Sequence, residues 1–317
     1  MARFITDIAR FLGMLLVLYL LSLVIIYFTG LAKYIPNVLD KSKNDGFLLT
    51  RLRELPNYRE VDYLFLGSSH ACREFDPRIF AEYGFSSFNL GSSAQTPINS
   101  KYLFQKYVDS LAPKHLIFEV YFRFFEREPT ESSLDIISNS EIDSYNLNIA
   151  LSRPTLKIYN TIAFIAVNRW FQPLAEIKQQ RFKWDRYVSG GYIEKVLSDS
   201  INKNPLKLVT RQHIQPREDQ IQAVRDILQI ASEKNIKVTL VSAPVTKEFF
   251  SQFENYDKFH ELVNDLCTEY QVRYIDYNLM TTPDFSTATD FYDNNHLNQQ
   301  GVSKFNNHLI QSFLLKL

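Results

Sequence analysis

Leu64-Phe65-Leu66-Gly67-Ser68-Ser69-His70 closes an apolar run that opens at Tyr63 and passes straight into a polar turn. A short continuous apolar run that stops at glycine is the pattern of a strand buried on both faces. The stretch from Phe75 to Tyr83 that follows reads as a helix, so the segment is the first β-α unit of a parallel sheet. The same alternation continues outward from it. Ser87 to Leu90 reads as a strand, Pro97 to Leu111 as a helix introduced by Thr96, and His115 to Phe122 as a strand. Thr96-Pro97 is helix-start chemistry, because a hydroxyl can cap free amides and proline tolerates the first helical position.

Toward the C-terminus the rhythm returns with a helix from Arg217 to Lys234, a strand Ile236 to Val245, a helix Lys247 to Tyr270 and a strand Val272 to Tyr277. A final helix covers Asn298 to Leu315, where Val302, Phe305, Leu309 and Phe313 recur at the spacing of one buried face. Apolar strands alternating with helices predict an α/β fold with a doubly wound parallel sheet, whose ligands bind beyond the strand C-termini. Residues 126 to 215 break the alternation and carry Trp170, Trp184, Tyr159, Tyr187 and Tyr192, with a helix around Leu156 to Phe171. That region is an insertion, to be read either as a lid or substrate platform or as a structural subdomain with its own small core.

Upstream, Phe11 to Ala32 contains no charged residue. At about 1.5 Å per residue these roughly 22 residues reach about 33 Å as a helix, enough for a bilayer core. We expect residues 1–32 to be a membrane anchor, residues 33–60 a juxtamembrane stalk and residues 61–317 the folded domain. Arg3 and Arg10 precede the span while Lys33, Lys41, Lys43 and Arg51 follow it, so basic residues do not set the orientation. Lys and Arg together number 35 and Asp and Glu also number 35, which leaves no net field to attract nucleic acid. Only Cys72 and Cys267 are present, in no Cys/His cluster, so neither a metal nor a cofactor is expected.

Ser69 lies where an α/β sheet exposes side chains, beside the free amides of a helix start. On its own, Gly67-Ser68-Ser69 more often describes turn and N-cap chemistry than catalysis. A base is offered by Asp293-Asn294-Asn295-His296, in a polar segment just before the last helix. Asp293 could hold the Nδ1 proton of His296 and leave Nε2 to accept the Ser69 hydroxyl proton. His70 belongs to the helix start; His115, His213, His260 and His308 fall in strand, insertion and amphipathic helices, with packing or surface roles.

These blocks resemble the SGNH/GDSL hydrolase superfamily from Val61 to the C-terminus, interrupted by the insertion. Gly67-Ser68-Ser69 corresponds to the Gly-Asp-Ser block with serine in its middle, and Asp293-x-x-His296 with Leu297 and Gly301 to the terminal Asp-x-x-His block. The resemblance implies Ser69 as nucleophile, activated by Asp293 and His296. It implies an oxyanion hole from the amide of Ser69 and that of Ala94, aligned with the family's glycine, with Gly91 under a shifted alignment. The third block reads Glu119-Val120-Tyr121-Phe122-Arg123 without the family's asparagine. Arg123 stands at that position, either as an oxyanion or substrate-acid ligand or as the partner of Glu119 across one strand face. The resemblance implies a membrane-anchored esterase or O-acyltransferase, its domain extracytoplasmic. It would act on acyl esters of envelope polysaccharide, with an acyl donor, a glycan acceptor and a membrane-embedded acyl-transfer partner. The alternative is a non-catalytic glycan-binding or assembly protein with a degraded oxyanion hole.

Overall fold

The computed structural model describes residues 1–42, 46–178, 182–196 and 211–316, so parts of the expected stalk and insertion (43–45, 179–181 and 197–210) lie outside the described residues. In chain order the elements begin with helix α1 (Ala2–Thr29), α2 (Leu48–Glu54), strand β1 (Tyr63–Leu66), α3 (Ser69–Glu74), α4 (Pro77–Glu82), β2 (Ser87–Asn89) and α5 (Pro97–Leu111). Then come β3 (His115–Glu119), α6 (Phe122–Phe125), α7 (Thr130–Asn139), α8 (Ser144–Ser152), α9 (Leu156–Phe171), β4 (Asp185–Val188) and β5 (Tyr192–Lys195). The last are α10 (Glu218–Glu233), β6 (Lys237–Ser242), α11 (Lys247–Phe250), α12 (Tyr256–Tyr270), β7 (Arg273–Asp276) and α13 (Gln299–Leu309). The chain forms two compact units, Met1–Lys43 with Ser133–Gln179, and Asn44–Ser132 with Gln180–Leu317.

The second unit is built on a five-stranded, all-parallel sheet in the order β2-β1-β3-β6-β7. This is the doubly wound order anticipated from the alternation, and its direction of growth reverses between β1 and β3. Leu64, Phe65 and Leu66 are fully buried, as a strand covered by helices on both faces requires. Phe65 stacks on Phe75 at 5.1 Å, and Phe75 meets Phe305 of α13 at 5.3 Å, so the segment that follows β1 and the C-terminal helix share one core. Burying rings of this size contributes about 2–3 kcal/mol each.

Several boundaries differ from the sequence reading. The helix expected over Phe75 to Tyr83 starts at Ser69, stops at Glu74 and restarts at Pro77, because Pro77 has no N–H to continue a helix and Asp76 caps the new one through Arg78 N. Thr96 precedes α5 as expected, but its hydroxyl donates to Asn99 Oδ1 at 2.9 Å instead of capping an amide. The expected helix Lys247 to Tyr270 is interrupted between Phe250 and Tyr256. Within the aromatic insertion, β4 and β5 form an antiparallel hairpin turned by Gly190 and Gly191, with φ of 91° and 88°. Positive φ at both central positions suits a tight hairpin turn and favours glycine. Asn89 N donates to Gly190 O at 2.8 Å, so this turn covers the β2 edge. Much of the segment read as a stalk is core: Leu48, Leu49, Leu55 and Arg51 are buried, and Arg51 Nη2 donates to Gly191 O at 2.9 Å.

The first unit contains α1, 28 residues long and apolar enough to cross a membrane. Within this unit α1 packs beside α9. Tyr19 Oη donates to Asn160 Oδ1 at 3.0 Å, and Tyr27 stacks on Phe171 at 5.6 Å.

Candidate active site

At the C-terminal end of β1 the chain turns through Gly67 into α3. Gly67 has φ of 141°, and a Cβ there would sit 2.7 Å from Glu119 Oε2, so glycine alone lets the turn lie against the end of β3. Ser68 caps α3 by accepting from His70 N, which leaves Ser69 as the first helical residue with its hydroxyl directed away from the core.

The partner arrives from a loop 227 positions on, and that loop is heavily fixed. An antiparallel bridge joins Phe291 to Leu297, and Tyr292 N donates to His296 O at 3.1 Å, closing a tight turn around Asp293–His296. Three elements grip it. Thr246, past β6, donates both its N–H and its hydroxyl to Asn294 O; Asn295 Nδ2 donates to Tyr121 Oη at 3.2 Å; Leu297 N donates to Glu74 Oε1 at 3.4 Å.

The result is a linear hydrogen-bonded chain. His296 Nε2 lies 2.9 Å from Ser69 Oγ, and its Nδ1 lies 3.0 Å from Asp293 Oδ2 and 3.2 Å from Oδ1. Burial alone would raise the Asp293 pKa. The imidazole and the backbone N–H groups of Asn295 and His296 outweigh it and hold the carboxyl at about 2, so it is ionised at neutral pH. This is the geometry in which a carboxylate orients an imidazole to accept a serine proton.

A second set of the same residue types lies directly beneath. Glu119, at the end of β3, is 2% exposed, and its Oε2 accepts from Ser68 N at 2.9 Å and Ser68 Oγ at 2.7 Å. Burial pushes its carboxyl up to about 7, against the lowering effect of the two Ser68 hydrogen bonds. The Ser68 hydroxyl is also 3.3 Å from His70 Nδ1, and the His70 ring stacks on His296 at 4.6 Å and lies tilted against Tyr121 at 4.0 Å. Burial, then the neighbouring His296, depress the His70 pKa well below the usual imidazole range, so a neutral ring supports the His296 imidazole from below. Glu74 completes the layer, its carboxyl raised first by burial and then by Glu119.

Of the other residues expected at the site, Ala94 has φ of 56°, the left-handed conformation that favours glycine. Neither its amide nor that of Ser69 is spent on a backbone hydrogen bond among the described residues. Gly91 differs: its N–H donates to Asn89 Oδ1 at 3.0 Å, so that amide is already engaged. Arg123 is not paired with Glu119. The strand ends at Glu119 and Phe122–Phe125 is a helical turn, so no shared strand face exists. The Arg123 guanidinium instead hydrogen-bonds Gln212, lies 3.8 Å from Glu126 Oε2 and covers the Phe253 ring, and none of these groups belongs to the Ser69 chain.

The arrangement, with a serine after the first strand and an Asp-x-x-His turn ahead of the last helix of a doubly wound sheet, is similar to the one the sequence blocks led us to expect. No family model and no curated protein matches the chain. Solved structures similar to it include a protein assigned as an acylhydrolase from Bacteroides fragilis, with 14% identity, 88% of this chain and 98% of that one covered, and a TM-score of 0.43. A GDSL-like lipase from Bacteroides thetaiotaomicron shows 12% identity over 86% of this chain and 100% of its own, with a TM-score of 0.43. A lipase/acylhydrolase from Enterococcus faecalis shows 10% identity over 82% and 97%, with a TM-score of 0.41. At this level of likeness it is the Ser69, His296 and Asp293 geometry, and not the neighbours, that supports a catalytic role.

Proposed function

We propose that the protein is a membrane-anchored serine esterase or O-acyltransferase that forms an acyl-enzyme at Ser69. The observation that carries this reading is the 2.9 Å contact of Ser69 Oγ with His296 Nε2, backed by an ionised Asp293 on Nδ1. Ser69 Oγ attacks the carbonyl carbon of an ester as its proton passes to His296 Nε2. Negative charge gathers on the carbonyl oxygen, where the amides of Ser69 and Ala94 donate. Collapse breaks the bond to the leaving alkoxide, which takes the proton from His296. Water or an alcohol then gives its proton to His296, attacks the acyl carbon and restores the Ser69 hydroxyl. Helix α1 supports an anchor, and the extracytoplasmic side for the catalytic domain follows from the envelope substrate proposed for it. An acyl ester of envelope polysaccharide, acetyl above all, is the substrate we put forward, with a sugar hydroxyl as acceptor and a membrane-embedded partner supplying the acyl group.

A fluorophosphonate probe tests the chemistry. Labelling at Ser69 in the wild-type protein, lost in Ser69→Ala and His296→Ala, is the expected result; an unlabelled wild type would sink the catalytic reading and leave the non-catalytic glycan-binding alternative. Incubating the full chain with an acyl ester and candidate glycans separates transfer from hydrolysis, since transfer yields acylated glycan without release of free acid.

A further inference from the structure

Helix α9 is apolar on both of its sides. Its inward side carries Ile158, Phe164 and Ile165 together with the polar Thr161 and Asn168, all buried. The opposite side, Leu156, Tyr159, Ala163, Ala166 and Trp170, recurs at spacings of three and four over the whole helix and holds no charge. Leu156 is 73% exposed and Trp170 87% exposed, so the stripe is open to the surroundings. A continuous uncharged apolar face of this kind marks an interaction surface. On the hidden side Thr161 Oγ1 accepts from Leu39 N at 3.1 Å, while the buried Asn168 Oδ1 has no hydrogen-bond partner among the described residues.

We infer that this face of α9 is seated against lipid, making α9 a second membrane-contacting helix beside α1. The inference rests on the reading of α1 as a membrane anchor. Continuity between the two helices selects lipid as the occupant. Tyr19 and Tyr27 of α1 touch Asn160 and Phe171 of α9, so α9 runs along the C-terminal half of the same apolar helix that would enter the bilayer. Whatever surrounds that half of α1 reaches the exposed stripe of α9 as well. The Asn160 amide oxygen, unfavourable in hydrocarbon, is satisfied by Tyr19 Oη. Trp170 and Phe171 lie at the end that meets Tyr27 and Phe28, an aromatic cluster of the sort that collects at the membrane-water boundary.

Contact quenching by brominated phosphatidylcholine reads this out in the full chain reconstituted in vesicles. Trp184→Phe leaves Trp170 as sole reporter on α9, and Leu16→Trp in a Trp170→Phe/Trp184→Phe background reports on α1. We expect both reporters to lose emission in brominated relative to plain lipid. If the Leu16→Trp reporter is quenched and Trp170 is not, the anchor stands and the inference fails. If neither is quenched, the anchor reading itself falls, and the inference with it. A Trp170 shielded from aqueous acrylamide yet untouched by bromine reports a protein cover, a second copy or a partner, and overturns lipid as the occupant. Ala166→Cys labelled with bimane gives the same readout at a small exposed position, since Cys72 and Cys267 are buried.

Discussion

Two serine, histidine and carboxylate sets lie one above the other here, interleaved through consecutive residues. Ser69, His296 and Asp293 form the upper set; Ser68, His70 and Glu119 form the lower. Their inventory is almost identical, and what separates them is burial and the direction of the serine hydroxyl. Ser69 points at an imidazole nitrogen on the open side of the sheet. Ser68 gives its hydrogen directly to a carboxylate inside the protein, so its oxygen is sealed from any substrate and committed to structure. In the upper set burial is overcome, and Asp293 stays charged at about 2. In the lower set burial wins, and Glu119 rises to about 7. A triad is thus defined less by its residue types than by which groups retain access to solvent and compensating donors.

The comparison breaks most sharply at the upper serine. Ser69→Ala or His296→Ala should lower kcat for ester hydrolysis by about a millionfold, and the double variant should be no worse than either alone, because the groups act as a unit. Additive losses in steady-state rates would show that the two do not share one proton transfer. Asp293→Asn comes next, with kcat down about ten-thousandfold, since an amide holds the imidazole in the wrong tautomer while leaving the turn folded. A rate near wild type in that variant would remove Asp293 from the mechanism.

The lower set is sharpened by stability instead of rate. Glu119→Ala leaves the Ser68 N–H and hydroxyl without their buried acceptor, a loss of about 3 kcal/mol in urea unfolding. Glu119→Gln keeps an acceptor there and should retain most of that stability. The two side chains differ in pH dependence. A carboxyl raised to about 7 when folded, against about 4.3 when unfolded, lends stability that is full below the unfolded value. That stability is lost as pH climbs through the folded one. The stability difference of wild type minus Glu119→Gln should therefore fall between about pH 5 and about pH 8, on the order of 2 kcal/mol. A constant difference across that window would show that Glu119 titrates as an ordinary surface carboxylate.

The upper set was legible because its parts are local motifs, a glycine-serine turn after an apolar strand and an Asp-x-x-His turn before an amphipathic helix. The lower set was hidden in the same segments. Glu119 followed by Arg123 reads as an ion pair along a strand, and only the end of β3 at Glu119 reveals that the two never share a face. Nothing local ties Glu119 to Ser68, which is 51 positions away. His70 lies at a helix start, as its sequence neighbours suggest, yet its stacking on His296 depends on the far loop. The β4–β5 hairpin was obscured because Gly190-Gly191 sits in an aromatic stretch without clear alternation. Periodicity located α9, but a helix that is apolar on both sides gives no sign of which one is covered, so its open stripe needed coordinates.

The smallest effect is expected at Ala94, where the resemblance and the backbone meet. The position aligned with a family glycine holds alanine, and its φ of 56° shows that the glycine-like conformation persists with a side chain present. A left-handed alanine costs about 1–2 kcal/mol, while glycine loses about 0.5–1 kcal/mol more conformational freedom on folding. Ala94→Gly should consequently raise stability by no more than about 1 kcal/mol and leave kcat within about twofold, because the amide that would face the oxyanion is unchanged. If Ala94→Gly instead lowers kcat a hundredfold while the protein stays folded, the methyl group itself positions the substrate, and the oxyanion contact must be sought at another amide.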